Sequence, residues 1–316
     1  MNLGYSSGVA GYIAGLSLTA EYLELEGGSE TAEKLILGVT QKMIQEDMVC
    51  DVLGGVSGLV LALTREDRWL KNKVTSTHVT EILKWCGDHL IKQQNLTIKY
   101  GLRIWKSKEA SQTLTGLGHG VSGIALALIR LGEMFHEERY FASAKDAISY
   151  EDSVYDAVAG NWPDFRNDPG ETDRTVKKFM GGYCAGAPGI GLARLDGLAR
   201  VKDDSFSAEL LRDIKRADRF IRSIRNEGRN HLCCGTAGRI DFLIEKGIRL
   251  NDQEALDLAL RKLSDLILGR QKRGHYNFHT VNGRYYYNPT LFQGTAGLGY
   301  EILRFLAPEK IRSVLV

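Results

Sequence analysis

Two cysteines stand side by side in "NHLCCGTAGRIDFLIE", which runs from Asn230 to Glu245, directly ahead of a glycine and an apolar stretch. Vicinal cysteines rarely bond to each other, because the ring they would close strains the peptide between them. Cys233 and Cys234 are therefore either small packing residues or two sulfurs offered to something that binds thiolates. A third cysteine, Cys184, and one of the seven histidines, His119, stand in matching places ahead of other glycines. Thiols and an imidazole gathered at helix starts suit zinc. Thiolate is the ligand form, and the positive end of a helix dipole favours it. Zinc takes about four ligands in a tetrahedron, and a catalytic zinc keeps one place open, which three cysteines would leave.

The matching places come from a repeat. Gly-x-x-Gly leading into an apolar helical run occurs at Gly8 and Gly11, Gly55 and Gly58, Gly120 and Gly123, Gly186 and Gly189, Gly235 and Gly238, and Gly294 and Gly297. The residue before the first glycine is Ser7, Gly54, His119, Ala185, Cys234 or Gln293. One place earlier stand Ser6, Leu53, Gly118, Cys184, Cys233 and Phe292. If the repeats form a ring, equivalent positions face one end of it, and Cys184, Cys233, Cys234 and His119 converge there.

The elements that must position these residues are helices. The runs behind the glycines, such as "LVLAL" and "IALALI", are apolar on all sides and read as inner helices. Between them lie charged stretches such as "SETAEKLILGVTQKMI" and "EALDLALRKLSDLILG", with apolar positions at three- and four-residue steps, which read as outer helices with one wet face. The alternation recurs at roughly fifty to sixty-five residues. It predicts an all-α fold, an α/α toroid with an inner and an outer ring of helices, over an open solenoid.

Other residues offer less. Cys86, in "KWCGDH", lies within an outer-helix pattern, and Cys50 precedes Asp51; both read as packing. His275 and His279 are spaced to share a metal on a helix, yet "HYNFH" is aromatic, flanked by glycine, and reads as loop or extended chain. Asp51, four residues before Gly55, can orient a histidine or take a proton, or it can be an ordinary helix cap.

Composition narrows the class. A chain of 316 residues buries a large core, and its formal charge of +2 has no basic stripe, so nucleic acid is not expected as a partner. No run of 18 apolar residues is present, which argues against stable insertion in a membrane. The N-terminus makes a poor signal peptide. Five cysteines without a secretion signal then suggest a reducing cytoplasm.

At these residues the chain resembles the lanthionine synthetase C-like family, and within it the C-terminal cyclase portion of class II lanthipeptide synthetases. The resemblance runs through "DVLGGVSGLVLAL", "GLGHGVSGIALAL", "YEDSVYDAVAGNWPDFR", "YCAGAPGIGLARL", "NHLCCGTAG", "LFQGTAGLGYEILR" and "IRSVLV", nearly the whole length. It implies one cyclase domain over residues 1–316, a double α-helical toroid, and a Zn2+ ion held by Cys184, Cys233 and Cys234. The Cys-Cys-Gly form resembles a subset of the class II enzymes, since the second motif more often carries histidine at the place of Cys234. It also implies His119 as the active-site histidine that transfers the proton, with Asp51 as its partner or as the alternative base.

The implied reaction adds a peptide cysteine thiolate to dehydroalanine or dehydrobutyrine, closing a thioether ring. Its partners would be a dehydrated precursor peptide with its leader and a dehydratase domain or protein that supplies it. Three thiolates would leave zinc more negative than two and an imidazole, and the substrate sulfur more nucleophilic. The family often has Trp and a polar or aromatic residue around the first zinc cysteine, where this chain has Tyr183 and Ala185. It also usually has seven inner-helix motifs rather than six, so an N-terminal truncation that removes the first hairpin is expected. The alternatives are a peptide-binding toroid without catalysis, and an α/α-barrel carbohydrate enzyme using Asp164, Asp168 and Glu171.

Overall fold

The computed structural model describes residues 2–316 except 7, 26, 66–67, 72, 98–100, 107–109, 111, 167–176, 226–227, 279, 282–283 and 286. The chain forms two compact units. The first comprises Met1–Leu114, Gly118–Ser153 and Phe165–Glu171; the second comprises Thr115–Leu117, Val154–Asp164 and Thr172–Val316.

The first unit carries three of the Gly-x-x-Gly helices, α1 (Val9–Leu23), α4 (Val56–Thr64) and α7 (Val121–Phe135). Between and after them come α2 (Gly28–Leu37), α3 (Gln41–Gln45), α5 (Arg68–Lys71), α6 (Ser76–Gln93) and α8 (Glu138–Val154). The antiparallel pair β1 (Asn95–Thr97) and β2 (Leu102–Ile104) aligns Leu96 with Arg103. The second unit carries the other three motif helices, α9 (Ala187–Leu198), α11 (Thr236–Arg249) and α13 (Thr295–Leu306), with α10 (Asp204–Ser223) and α12 (Gln253–Arg273) between them. Two short antiparallel pairs complete it: β3 (Pro163–Asp164) with β4 (Lys178–Phe179), and β5 (Thr280–Val281) with β6 (Arg284–Tyr285).

The helices differ as their sequences do. Every residue of α4 from Val56 to Leu63 is buried, and so is every residue of α9 from Ala187 to Gly197. By contrast α10 buries Phe206, Leu210, Ile214, Ala217 and Ile221, one stripe at three- and four-residue steps. Asp203 and Asp252 cap α10 and α12, their carboxylates accepting from Phe206 N at 2.8 Å and Ala255 N at 3.0 Å. Two motif helices depart from the expectation of burial on all sides. The first, α1, leaves Tyr12 and Leu23 exposed, and α13 leaves Leu303 and Leu306 exposed. Each packs one face only, α1 against α2 and α4, and α13 against α11 and α12.

Motif helices start on glycine and have no side-chain cap. Their first N–H groups go instead to the loop that precedes them. Val9, Val121, Thr236 and Thr295 donate to the carbonyls of Asn2, Leu114, Arg229 and Asn288, in each case six residues before the first glycine. The loop thus folds back over the helix start and presses its carbonyls onto the glycines. A Cβ on Gly189 would lie 2.0 Å from Tyr183 O, and one on Gly297 would lie 1.9 Å from Leu291 O. The repeat spacing is therefore set by a backbone loop that leaves no room for a side chain. Among the described residues, no helix is long and apolar enough to cross a membrane.

Candidate metal centre and acid-base pair

The loops that start the motif helices also join one another. In the second unit, Tyr183 N donates to Cys233 O at 2.8 Å, and Cys233 N to Phe292 O at 2.9 Å. These bonds set the loops of α9, α11 and α13 side by side, so residues at equivalent places meet. Cys184 Sγ lies 2.7 Å from Cys233 Sγ, and Cys233 Sγ lies 3.3 Å from Cys234 Sγ. All three sulfurs fall within 4.8 Å of one another. Cys184 and Cys233 are buried and Cys234 is half-buried, so the cluster opens on the side of Cys234. None of the five cysteines is in a disulfide.

Cys234 is fixed at its backbone, where its N–H donates to His231 Nδ1 at 3.2 Å. The approach depends on Gly182, because a Cβ there would lie 2.7 Å from Cys234 Cα. Hydrogen bonds to Cys233 and Cys234, and then burial, push the Cys184 thiol far up. Three thiolates so close together need a cation among them. Sulfurs at ~2.3 Å from a tetrahedral ion lie about 3.8 Å apart, so small outward movements would seat one. The cluster can hold a metal ion, as its residue types suggest.

In the first unit the same pattern recurs, with Tyr5 N donating to Val52 O at 2.8 Å and Leu53 N to Gly118 O at 3.1 Å. It brings the Asp51 loop beside His119, whose Nδ1 lies 3.0 Å from Asp51 Oδ2. The other carboxylate oxygen, Oδ1, accepts from Gly54 N at 2.6 Å. Asp51 thus binds the turn just before the α4 start and orients His119 at the same time. Its carboxylate is 8 % exposed and the His119 side chain 36 %. A carboxylate accepting from Nδ1 leaves Nε2 as the nitrogen free to exchange a proton. Both residues line a cavity of about 270 Å3, whose wall includes Val49, Trp105, Lys106 and Leu114. Trp105 is locked there by its Nε1–H to Leu90 O at 2.8 Å.

A second mixed cluster, Asp47, Cys50 and His89, also has donor atoms within 4.8 Å. Its groups are already engaged. Asp47 Oδ1 accepts from Val49 N, Oδ2 accepts from Cys50 N and Val56 N, and His89 Nε2 meets Asp47 O at 2.7 Å. Cys50 and Cys86 are buried, as packing residues should be. His275 Nδ1 meets the Tyr276 carbonyl at 3.2 Å, and His279 lies outside the described residues. Asp164 stands in β3, while Asp168 and Glu171 lie outside the described residues. Sequence reasoning missed Asp47, which binds the Asp51 loop, and Asn161. Asn161 Oδ1 accepts from Trp162 N and Ala187 N, and its Nδ2 donates to Met180 O at 2.9 Å, binding both ends of the Cys184 loop. Only the quoted "AGNWPDF" stretch hinted at it.

These features define a class: an all-α protein whose motif loops assemble a three-cysteine cluster able to take a metal ion. The family of that class is the lanthionine synthetase C-like family, to which this chain belongs, the family's model matching residues 1–316. Its fold matches the solved structure of "Nisin cyclase" with a TM-score of 0.65 at 16% identity, over 98% of this chain and 78% of that one. The Lin0763 protein from Listeria innocua matches with a TM-score of 0.58 at 12% identity, over 96% of this chain and 84% of that chain. A sugar epimerase from a ruminal bacterium matches with a TM-score of 0.56 at 11% identity, covering 89% and 78%. At these identities the likeness speaks for the fold, and the α/α-toroid class expected from the sequence is borne out. Among curated proteins, none matches the sequence.

Proposed function

We propose that the chain is a zinc-dependent lanthipeptide cyclase of the cytoplasm. It would act on a dehydrated precursor peptide with its leader, supplied by a dehydratase domain or protein. One observation carries the reading: cysteines from two motif loops, Cys184 and Cys233 being 49 residues apart in sequence, bring three sulfurs within 4.8 Å. A thiol-only donor set of three suits zinc, with one coordination place left for a substrate sulfur.

Bound zinc would supply a lowered thiol pKa, ~8.5 in the free side chain, and a fixed position for the sulfur. The chain's own residues do the rest. Cys184, Cys233 and Cys234 would hold the ion. As the substrate sulfur bonds to Cβ of dehydroalanine or dehydrobutyrine, negative charge moves onto Cα and its carbonyl. His119 Nε2 delivers a proton to Cα, and Asp51 holds the imidazole at Nδ1 and stabilises its charged form. The proton lost by the thiol balances the one gained at Cα, so no further reagent is consumed. Trp105 and Leu114 give the His119 cavity an apolar wall that limits water around the basic carbon.

The test uses the purified chain with one equivalent of zinc and a pre-dehydrated, cysteine-containing peptide. Ring closure leaves the mass unchanged and removes a free thiol, so the number of iodoacetamide adducts per peptide falls. Zinc bound with the adduct number unchanged would overturn the cyclase reading and favour a peptide-binding toroid without catalysis.

A further inference from the structure

Arg239 occupies an odd place. It is the fourth residue of α11, in the turn where the helix dipole favours anions and disfavours cations. Its side chain is half-buried, and among the described residues no carboxylate pairs with it. Its Nε–H donates to Gly181 O at 2.9 Å, on the segment that leads into Cys184. The next residue on that segment, Gly182, is the one that backs onto Cys234. Burial lowers the Arg239 pKa, and the charge that opposes this is Cys234. A second cation, Lys262 of α12, stands close enough to feel Arg239. Its Nζ donates to Ile224 O at 3.2 Å.

We propose that Arg239 is the counter-cation of the three-cysteine centre, tethered through Gly181 to the loop that delivers Cys184. The inference rests on the metal-centre reading given above. The charge balance explains why a cation stands there. A divalent ion with three thiolates carries one negative charge, and a fourth thiolate makes it two. Without a neighbouring cation the second anionic step is opposed by the first; Arg239 offsets it. The residue acts through the sulfurs and need not touch a substrate.

Cobalt(II) serves as the probe, because its thiolate charge-transfer bands report both occupancy and the arrival of a fourth sulfur. Titrations compare the parent chain with Arg239→Met and Arg239→Lys, alone and with Cys234→Ala. A unit charge near the centre, partly screened by solvent, corresponds to about a tenfold change in affinity. Arg239→Met is expected to weaken cobalt binding by about that factor and to weaken the binding of added 2-mercaptoethanol further, with Arg239→Lys retaining most of both. In the Cys234→Ala background, where the centre is one charge less negative, the loss should shrink. Melting temperatures with and without metal separate charge from packing: Arg239→Met should lower that of the loaded chain more than that of the metal-free chain, which loses only the bond to Gly181 O. Equal destabilisation of both forms with unchanged cobalt affinity would overturn the inference and leave Arg239 a tether. If the parent binds no cobalt, the metal-centre reading falls first and this inference falls with it.

Discussion

The loops before α4 and α9 differ from the four others in how they start their helices. In those four the first helical N–H meets a backbone carbonyl. Val56 N instead meets Asp47 Oδ2 at 3.0 Å, and Ala187 N meets Asn161 Oδ1 at 2.8 Å. Positive φ does not separate them, since Cys50 (62°) and Gly186 (97°) are matched by Gly116 (104°) in the loop before α7. These two loops carry Asp51 and Cys184, whereas the loops that carry His119 and Cys233 with Cys234 keep the backbone start. The acceptors differ in kind. Asp47 is an anion: burial first, and then its charge, pushes the Cys50 and Cys86 thiols up, with Asp51 adding to the effect at Cys50. Asn161 does the same backbone work beside three cysteines without adding charge. The acceptor beside the three-cysteine cluster is thus neutral, and the one beside Cys50 and Cys86 is charged.

The largest effects should separate the two regions by readout. His119→Asn is expected to slow ring closure by about 10²–10⁴-fold while leaving the metal in place, the usual weight of a proton-transfer group. Cys184→Ala should do the reverse at the level of metal content, lowering it together with activity. Loss of metal from the His119 variant would break the division between the regions.

Next in size come the two acceptors. Asn161→Ala leaves Trp162 N, Ala187 N and Met180 O without their partner and should cost about 2–4 kcal/mol in urea unfolding. Asn161→Asp keeps both accepting interactions and brings a charge to the cysteine loop, so metal affinity should fall by about tenfold. The counterpart, Asp47→Asn, should cost only about 1–2 kcal/mol and should lower the Cys50 and Cys86 thiol pKa values, seen as faster alkylation in mild urea. Unchanged metal affinity in Asn161→Asp would show that the charge of the acceptor is incidental.

The sequence made the repeat, the helix order and the three sulfurs legible, because glycine spacing records a backbone loop that tolerates no Cβ. Adjacent loops share a register, so counting from the glycines was enough to find Cys184, Cys233 and Cys234 as neighbours. The same counting aligned His119 and left Asp51 undecided between cap and acid. It could not be otherwise, since one oxygen of Asp51 serves the turn and the other serves His119. Asn161 was hidden because it lies 26 residues from the N–H it accepts from, outside the repeat frame. Arg239 was hidden because its partner is a carbonyl, which every residue has. The one-sided burial of α1 and α13 was also illegible, since local pattern records apolarity and not which faces find neighbours.

The smallest effect tests the cationic surroundings of the cysteine centre through Lys262. Burial first, then the charge of Arg239, lowers its pKa from 10.5 to about 8, with Asp265 acting in the opposite direction. The folded chain therefore releases this proton at lower pH than the unfolded chain does. Between about 8 and 10.5 the unfolded state binds more protons, so the Lys262 contribution to stability rises with pH across that window. Below about 8 both states are protonated, and the penalty of keeping a buried ammonium beside a guanidinium is present in full. Urea unfolding of the metal-free chain at pH 7.5, 8.5 and 9.5 should show this upward component, and Lys262→Met should remove it. Arg239→Met should shrink it without abolishing it, because burial is the larger cause. An identical slope in Arg239→Met would mean that the guanidinium does not reach Lys262, and the contrast between a cationic and an anionic setting for the two sets of thiols would lose one of its supports.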